Sequence, residues 1–221
     1  EAVKSRFSCR AFTEKPVSKE LIKEILDVAK QAPSGGNLQP WHIHVISGKK
    51  LDQIVSDIES KITDMPMGEK TEYDVYPPNL WEPYRSRRFK CGEDLYKSIN
   101  IPREDKSARL SQLAKNLRFF DAPVGLFVYI DRKMGPPQWS DVGMFLQTVM
   151  LIAREKGLHS CAQEAWAMWH STVNKHLVVD DKFMLFCGMG IGYADENHPI
   201  NSWRTDREGV DNFTTFYGFE K

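Results

Sequence analysis

Apolar residues recur at helical spacing early in the chain: Leu21, Ile22, Ile25, Val28, Ala29 and Ala32 lie on one face. That stripe predicts a helix that Ser18 caps and that runs to about residue 31, with Pro33 as its stop. Residues 41–47 (WHIHVIS) alternate instead, the pattern of a half-buried strand, and Gly48 closes it. Leu51, Ile54, Val55 and Ile58 restore the helical period and predict a second helix over 49–61. Over 63–107 the pattern breaks at Pro66, Pro77, Pro78, Pro83, Gly92 and Pro102. Long irregular segments of this kind are functional lids or disordered loops. Tyr73, Tyr76, Trp81 and Tyr84 argue for an ordered lid, because aromatic rings need something to pack on.

Helical periodicity returns over 104–120, and residues 122–130 (APVGLFVYI) form a near-continuous apolar run, predicting a strand covered on both faces. The longest predicted helix spans 138–156, with Val142, Phe145, Leu146, Val149, Ile152 and Ala153 as its stripe and Gly157 as its stop. A strand over 159–165, a helix over 166–177 and a Gly-rich central strand over 183–193 follow. Residues 194–221 are polar and interrupted, yet end in an aromatic segment containing Phe213, Phe216, Tyr217 and Phe219. No repeat or linker divides the chain, so residues 1–221 form one expected domain. Strands and helices mix without strict βα alternation, which favours an α+β fold. The expectation is a mixed central sheet of four or five strands with helices on both faces. A tail with aromatics but no core of its own must lie on something, and a partner subunit in a homodimer is the natural surface.

Composition narrows the function classes. Thirty basic and thirty acidic residues cancel over 221 residues, so no net field recruits nucleic acid or an anionic membrane. No run approaches the ~20 apolar residues of a membrane span, and nothing at the N-terminus reads as a signal peptide. The chain opens at Glu1, without Met and inside a predicted helix, so a few residues are expected to precede it. Cys9, Cys91, Cys161 and Cys187 are widely separated and form no C-x-x-C pair, which points to reduced cysteines and a cytoplasmic protein. His42 and His44 share a strand face but lack a third ligand, so no metal site is expected. Gly188-x-Gly190-x-Gly192 lacks the spacing and the following helix of a dinucleotide fingerprint.

Two stretches carry chemistry. Arg6-x-Ser8-x-Arg10 supplies two guanidinium groups four residues apart around a hydroxyl, a donor set suited to a phosphate. Ser34-Gly35-Gly36-Asn37-Leu38-Gln39-Pro40-Trp41 places paired glycines, which permit close backbone approach, beside two amides that offer donors and acceptors to a heteroaromatic edge. Together, R-x-S-x-R followed about twenty-five residues later by A-P-S-x-x-N-x-Q-P-W resembles the opening of the FMN-dependent nitroreductase family. The resemblance continues through Ala122-Pro123, Asp141-Val142-Gly143-Met144, Gly157-Leu158 and the segment Gly188–Tyr193, and so covers nearly the whole chain. Glu82-Pro83-Tyr84-Arg85 and residues 116–123 are most similar to the nitrobenzoate and nitrobenzene reductase-type members.

The resemblance implies an obligate homodimer with FMN at its interface and NAD(P)H as electron donor. Arg6 and Arg10 would hold the phosphate and the N1/O2 side of the ring, with Phe7 and Ser8 along the same contact. Ser34 and Asn37 would touch the ring and ribityl chain, Asn37 from the partner subunit. Gln163, Glu164 and Ala165 match a strand-end turn in which the Glu164 N–H faces flavin N5, and Arg207 matches a C-terminal arginine on the phosphate. Ala165 stands where the family often has Gly, and Thr205 where it often has a basic residue, for which Arg204 can substitute. Glu164, through its backbone, and Arg10, through charge complementarity at N1/O2, are the implied catalytic groups. The implied reaction is two-electron, ping-pong reduction of nitroaromatic or quinone-type acceptors. Flavin, quinone or enone reduction and reductive dehalogenation stay open on the same scaffold, as does a flavin-sequestering protein without turnover. In the lid, Tyr73, Tyr76, Trp81 and Tyr84 could stack on an acceptor ring and Arg85 or Arg88 meet its anionic group. The plain alternative for the 85–90 run is a solvated charged face.

Overall fold

The computed structural model describes residues 1–219, so the last two residues of the expected tail lie outside the description. Four strands form one sheet in the order β1-β2-β4-β3: β1 His42–Ser47, β2 Val124–Asp131, β3 His159–Gln163 and β4 Phe183–Gly192. β1 pairs with β2 from His42↔Tyr129 to Ser47↔Val124, and β4 pairs with β2 and β3 in the registers Val124↔Ile191 and Gln163↔Gly188. The α+β class holds, but every strand pairing is antiparallel, which corrects the expectation of a mixed sheet. Continuous burial of the 122–130 run comes from helices on both faces rather than from parallel pairing. The parallel element among the described residues is the single bridge Ser8↔Ser160.

Alternation along β2 divides the core into two layers. Val124, Leu126, Val128 and Ile130 pack with Ile22 and Ile25 of α2 (Lys19–Ala29) and with Val142, Phe145 and Val149 of α6 (Pro136–Glu155). Phe127 and Tyr129 face the other way, onto Ile54 and Ile58 of α3 (Gly48–Glu59) and onto Trp166 and Trp169. Each of these large buried side chains contributes about 1.5–3 kcal/mol relative to exposure. Ser18 caps α2 as expected, its Oγ accepting from the Leu21 N–H at 3.1 Å.

Three boundaries differ from the sequence reading. The 63–107 segment contains a 15-residue helix, α4 (Tyr84–Ser98), which buries none of its residues and so shows no apolar stripe. The predicted 104–120 helix ends early: α5 is Lys106–Ala114, and a 3-10 stretch Lys115–Asp121 follows. There Phe119, Phe120 and Asp121 take φ of 52°, 53° and 65°, a left-handed run that inserts both rings into the core. The predicted 166–177 helix divides into a 3-10 turn Glu164–Trp169 and α7 (His170–His176), because Trp166 and Trp169 must both reach the core.

Phe119 and Trp166 stack at 4.3 Å over β2 and β4, where Gly125 and Gly188 have no room for a side chain. The start of the lid is anchored through Glu69, whose carboxylate accepts from the Thr172 N–H at 3.0 Å and from its hydroxyl at 2.7 Å. The aromatic residues near the end of the tail are little covered: Phe213, Phe216, Tyr217 and Phe219 are 59–84% exposed. Among the described residues no helix is long and apolar enough to cross a membrane.

Candidate functional site

The N-terminal segment is held between β3 and the end of the chain. After α1 (Ala2–Ser5), Ser8 bridges Ser160 and the Cys9 N–H donates to the Ser160 carbonyl at 3.0 Å. On the other side the Arg10 N–H donates to Asn201 Oδ1 at 3.0 Å. Asn201 is buried in α8 (Pro199–Ser202) and also donates to the carbonyls of Ala11 and Asp195. This clasp brings together residues far apart in sequence. Arg6, Phe7, Ser8 and Arg10 face Trp203, Arg204, Thr205 and Arg207 across a cleft of about 300 Å³.

The cleft is cationic and lacks internal counter-charge. Among the described residues Arg6, Arg10, Arg204 and Arg207 form no ion pair with a carboxylate. Their donors reach mainly local carbonyls: Arg10 to Ser8 at 3.3 Å, Arg204 to Asn201 at 2.6 Å, Arg207 to Asp206 at 2.9 Å. The Arg204 guanidinium lies 3.9 Å from the centre of the Phe7 ring, which in turn meets His159 at 5.0 Å. Burial, then the nearby positive charge of Arg207, lowers the Arg6 pKa from its ordinary value. Gathered guanidinium groups repel one another and are stabilised by a bound anion, and their fork geometry suits phosphate oxygens. The residues present therefore fit the phosphate end of FMN.

β3 leads from this cleft to the strand-end turn. Glu164 opens the 3-10 turn Glu164–Trp169, where the first N–H groups have no acceptor within the turn. Desolvation raises its carboxyl pKa above the usual range, although the residue as a whole is exposed. The Gln163 side chain does not point into the cleft: it is buried and donates through Nε2 to the Asn116 carbonyl at 2.7 Å. The amide is taken up beneath the turn, so what this residue offers toward the cleft side is its backbone, as the family resemblance implies. Ala165 follows as a half-buried residue of the same turn.

Ser34 and Asn37 lie apart from the arginine cleft. Their turn packs on α6, where the Gly35 N–H donates to the buried carboxylate of Asp141 at 3.2 Å. Gly36, Asn37 and Gln39 have φ of 57°, 57° and 49°, and the Asn37 and Gln39 side chains are exposed. Trp41 stacks on Phe145 at 4.7 Å and fixes the exit of the turn.

The lid residues divide. Tyr73 is packed against Trp139 and Phe186 and donates its hydroxyl to the Phe186 carbonyl, so it is not a free stacking surface. Tyr76, Trp81 and Tyr84 are exposed. Arg85 is paired with Glu82 at 2.9 Å, whereas Arg88 lies 4.1 Å over the Tyr76 ring. Sequence reasoning missed Trp203 and Asn201, which line and clasp the cleft; a Trp beside Arg204 in a polar tail was the available signal. It also missed Asn116, which no spacing distinguishes.

An antiparallel α+β chain that gathers four arginines in one cleft, none of them paired with a carboxylate among the described residues, presents a donor set suited to an organic phosphate. The particular family is established by comparison: the nitroreductase family model matches residues 3–193, and the chain belongs to that family. It is 41% identical over 219 residues to a 4-nitrobenzoate reductase of Pseudomonas putida, covering 99% of this chain and 95% of the relative. It is 36% identical over 216 residues to a nitrobenzene nitroreductase of Ectopseudomonas oleovorans, covering 98% and 95%. Among solved structures, the FMN and NADPH-dependent nitroreductase NfnB from Sphigopyxis sp. strain HMH superposes with a TM-score of 0.96 at 46% identity, covering 99% of this chain and 98% of that one.

Proposed function

We propose that this chain is an NAD(P)H-dependent FMN oxidoreductase that reduces nitroaromatic compounds, acting as a cytoplasmic homodimer. The observation that carries the reading is the arginine cleft, joined through β3 to the Glu164 turn, in a chain matching nitroreductases over nearly its full length. When bound, FMN supplies a two-electron carrier that a nicotinamide can reduce and a nitro group can oxidise. Arg6 and Arg207 would hold the phosphate, with Arg204 alongside on Phe7. Arg10, in the same cleft, would supply positive charge that favours the reduced form of the cofactor. The Glu164 N–H, at the head of its turn, would be the donor that orients the reactive edge of the ring. Conversion of a nitro group to nitroso takes two electrons and two protons and releases water, and solvent can supply the protons.

The dimer is supported by what one chain leaves uncovered. The aromatic tail lies on no core of its own, and the Ser34–Gln39 turn presents its amides outward, away from the cleft of the same chain. A second copy would bring that turn to the cofactor and give the tail a surface. The four cysteines are all free, which fits a reducing cytoplasm.

Two measurements test the reading together. Sedimentation followed at the flavin absorbance is expected to give the mass of two chains with one FMN per chain. Product analysis after turnover with NADPH or NADH and 4-nitrobenzoate is expected to give the nitroso or hydroxylamino compound. A monomer that retains FMN would overturn the dimer, and unchanged nitroarene would overturn the activity.

A further inference from the structure

The tail between Trp203 and Gly209 has no helix or strand to hold it, yet Arg207 must face another guanidinium, that of Arg6. Arg207 makes no ion pair of its own among the described residues; its Nη1 donates to the Thr205 and Asp206 carbonyls and to the Thr205 hydroxyl. Its two sequence neighbours are both acidic, and both are taken by α4. Arg87 Nη2 meets Glu208 Oε2 at 2.6 Å, and Lys90 Nζ meets Asp206 Oδ2 at 2.8 Å. The geometry is self-consistent. In an extended chain residues 206 and 208 project to one side and residue 207 to the other. On a helix, residues 87 and 90 are neighbours on one face, three apart. Arg207 lines both the phosphate cleft and the adjoining crevice of about 210 Å³ between α4 and the tail.

We propose that α4 is a cofactor-positioning element: Arg87 and Lys90 grip the two acidic neighbours of Arg207 and thereby aim Arg207 at the FMN phosphate. The lid helix then contributes to cofactor retention without touching the cofactor, and Arg87 and Lys90 are positioning residues. The pairs are solvent-exposed, so the effect is modest and sensitive to ionic strength.

The inference rests on the FMN reading above, and its test separates the two. FMN and riboflavin, which lacks the phosphate, are titrated by fluorescence quenching into the full chain stripped of flavin. Arg87→Ala/Lys90→Ala is expected to weaken FMN roughly three- to tenfold, to leave riboflavin unchanged, and to have no further effect when Arg207→Ala is already present. The pair Lys90→Glu with Asp206→Lys is expected to restore what Lys90→Glu alone loses. Unchanged FMN affinity in Arg87→Ala/Lys90→Ala, with a clear loss in Arg207→Ala, would overturn the clamp and leave the phosphate site standing. Equal losses for FMN and riboflavin would also overturn it, since the lid would then be acting as general packing. No loss in Arg207→Ala would overturn the phosphate assignment itself.

Discussion

Gly188→Ala is the substitution through which the packing beneath the site can be weighed. The added methyl would collide with Trp166 Cδ1 and stand 2.8 Å from Trp166 Cγ and 2.9 Å from Phe119 Cε1. Neither ring can yield easily. Both are fully buried, they stack on each other at 4.3 Å, and Phe127 closes the cluster at 5.0 Å from Trp166 and 5.4 Å from Phe119. Overpacking of this kind costs roughly 1–3 kcal/mol, and rigid rings place it at the upper end. For a domain of this size each kcal/mol lowers the Tm by about 2–4 °C, so a fall of roughly 5–10 °C is expected. The disturbance does not stay in the core. Gly188 lies opposite Gln163 in the sheet, and Glu164 is the next residue, so the strand-end turn must shift as well. FMN affinity is expected to fall on the order of tenfold. Thermal unfolding followed by near-UV circular dichroism, with FMN titration on the same samples, measures both. Gly92→Ala is the control: nothing lies within 4 Å of its added methyl, and a glycine replaced inside α4 is expected to stabilise by about 0.5–1 kcal/mol. A Gly188→Ala protein with an unchanged Tm and unchanged FMN affinity would refute the packing argument.

Three further outcomes follow from the same structure. Asp141→Ala removes the acceptor of the Gly35 N–H and is expected to cost roughly 1.5–3 kcal/mol, read as a lower urea midpoint, while Asp141→Asn retains most of it. Burial and then Arg154 push the His159 imidazole down to about 4, so the unfolded chain takes up a proton below about 6.5 that the folded chain refuses. Its stabilising contribution is complete above pH 6.5 and is lost as pH falls toward 4; His159→Phe is expected to flatten the stability–pH slope in that window, and an unchanged slope would contradict this. Glu164→Ala keeps the N–H and is expected to keep kcat within about threefold. Glu164→Pro removes it and is expected to lower kcat by on the order of a hundredfold, the usual effect of losing one preorganised donor; equal effects would assign the role to the carboxylate instead.

How much of this was legible in the sequence depended on whether burial leaves a periodic trace. Ile22, Ile25 and Ala29 repeat at helical spacing, and α2 with its Ser18 cap was read within two residues. β2 was recognised from its apolar run, but a strand covered on both faces looks alike in parallel and antiparallel sheets, so the run could not reveal that the sheet is wholly antiparallel rather than mixed. α4 was invisible because its contacts are ionic: Arg87 and Lys90 grip the tail, and Glu93 takes Arg109, with no apolar stripe to mark the helix. The left-handed run at Phe119, Phe120 and Asp121 was hidden because nothing local demands it; tertiary packing of Phe119 over Gly125 and Gly188 does. At the site, Arg6 and Arg10 announced a phosphate by type and spacing. That Arg204 and Arg207 meet them depends on a clasp through Asn201, 191 residues along the chain from Arg10 and silent in any local window.

The central claim is that electrons pass from a nicotinamide to a nitroarene through FMN held in the arginine cleft. Anaerobic stopped-flow spectroscopy of the FMN-loaded protein tests it as two separate half-reactions. Mixing with NADPH or NADH is predicted to bleach the flavin absorbance, and a second mixing with 4-nitrobenzoate or nitrobenzene is predicted to restore it. Protein that binds FMN but is not bleached, or that bleaches and is left reduced by every nitroarene, would contradict the account.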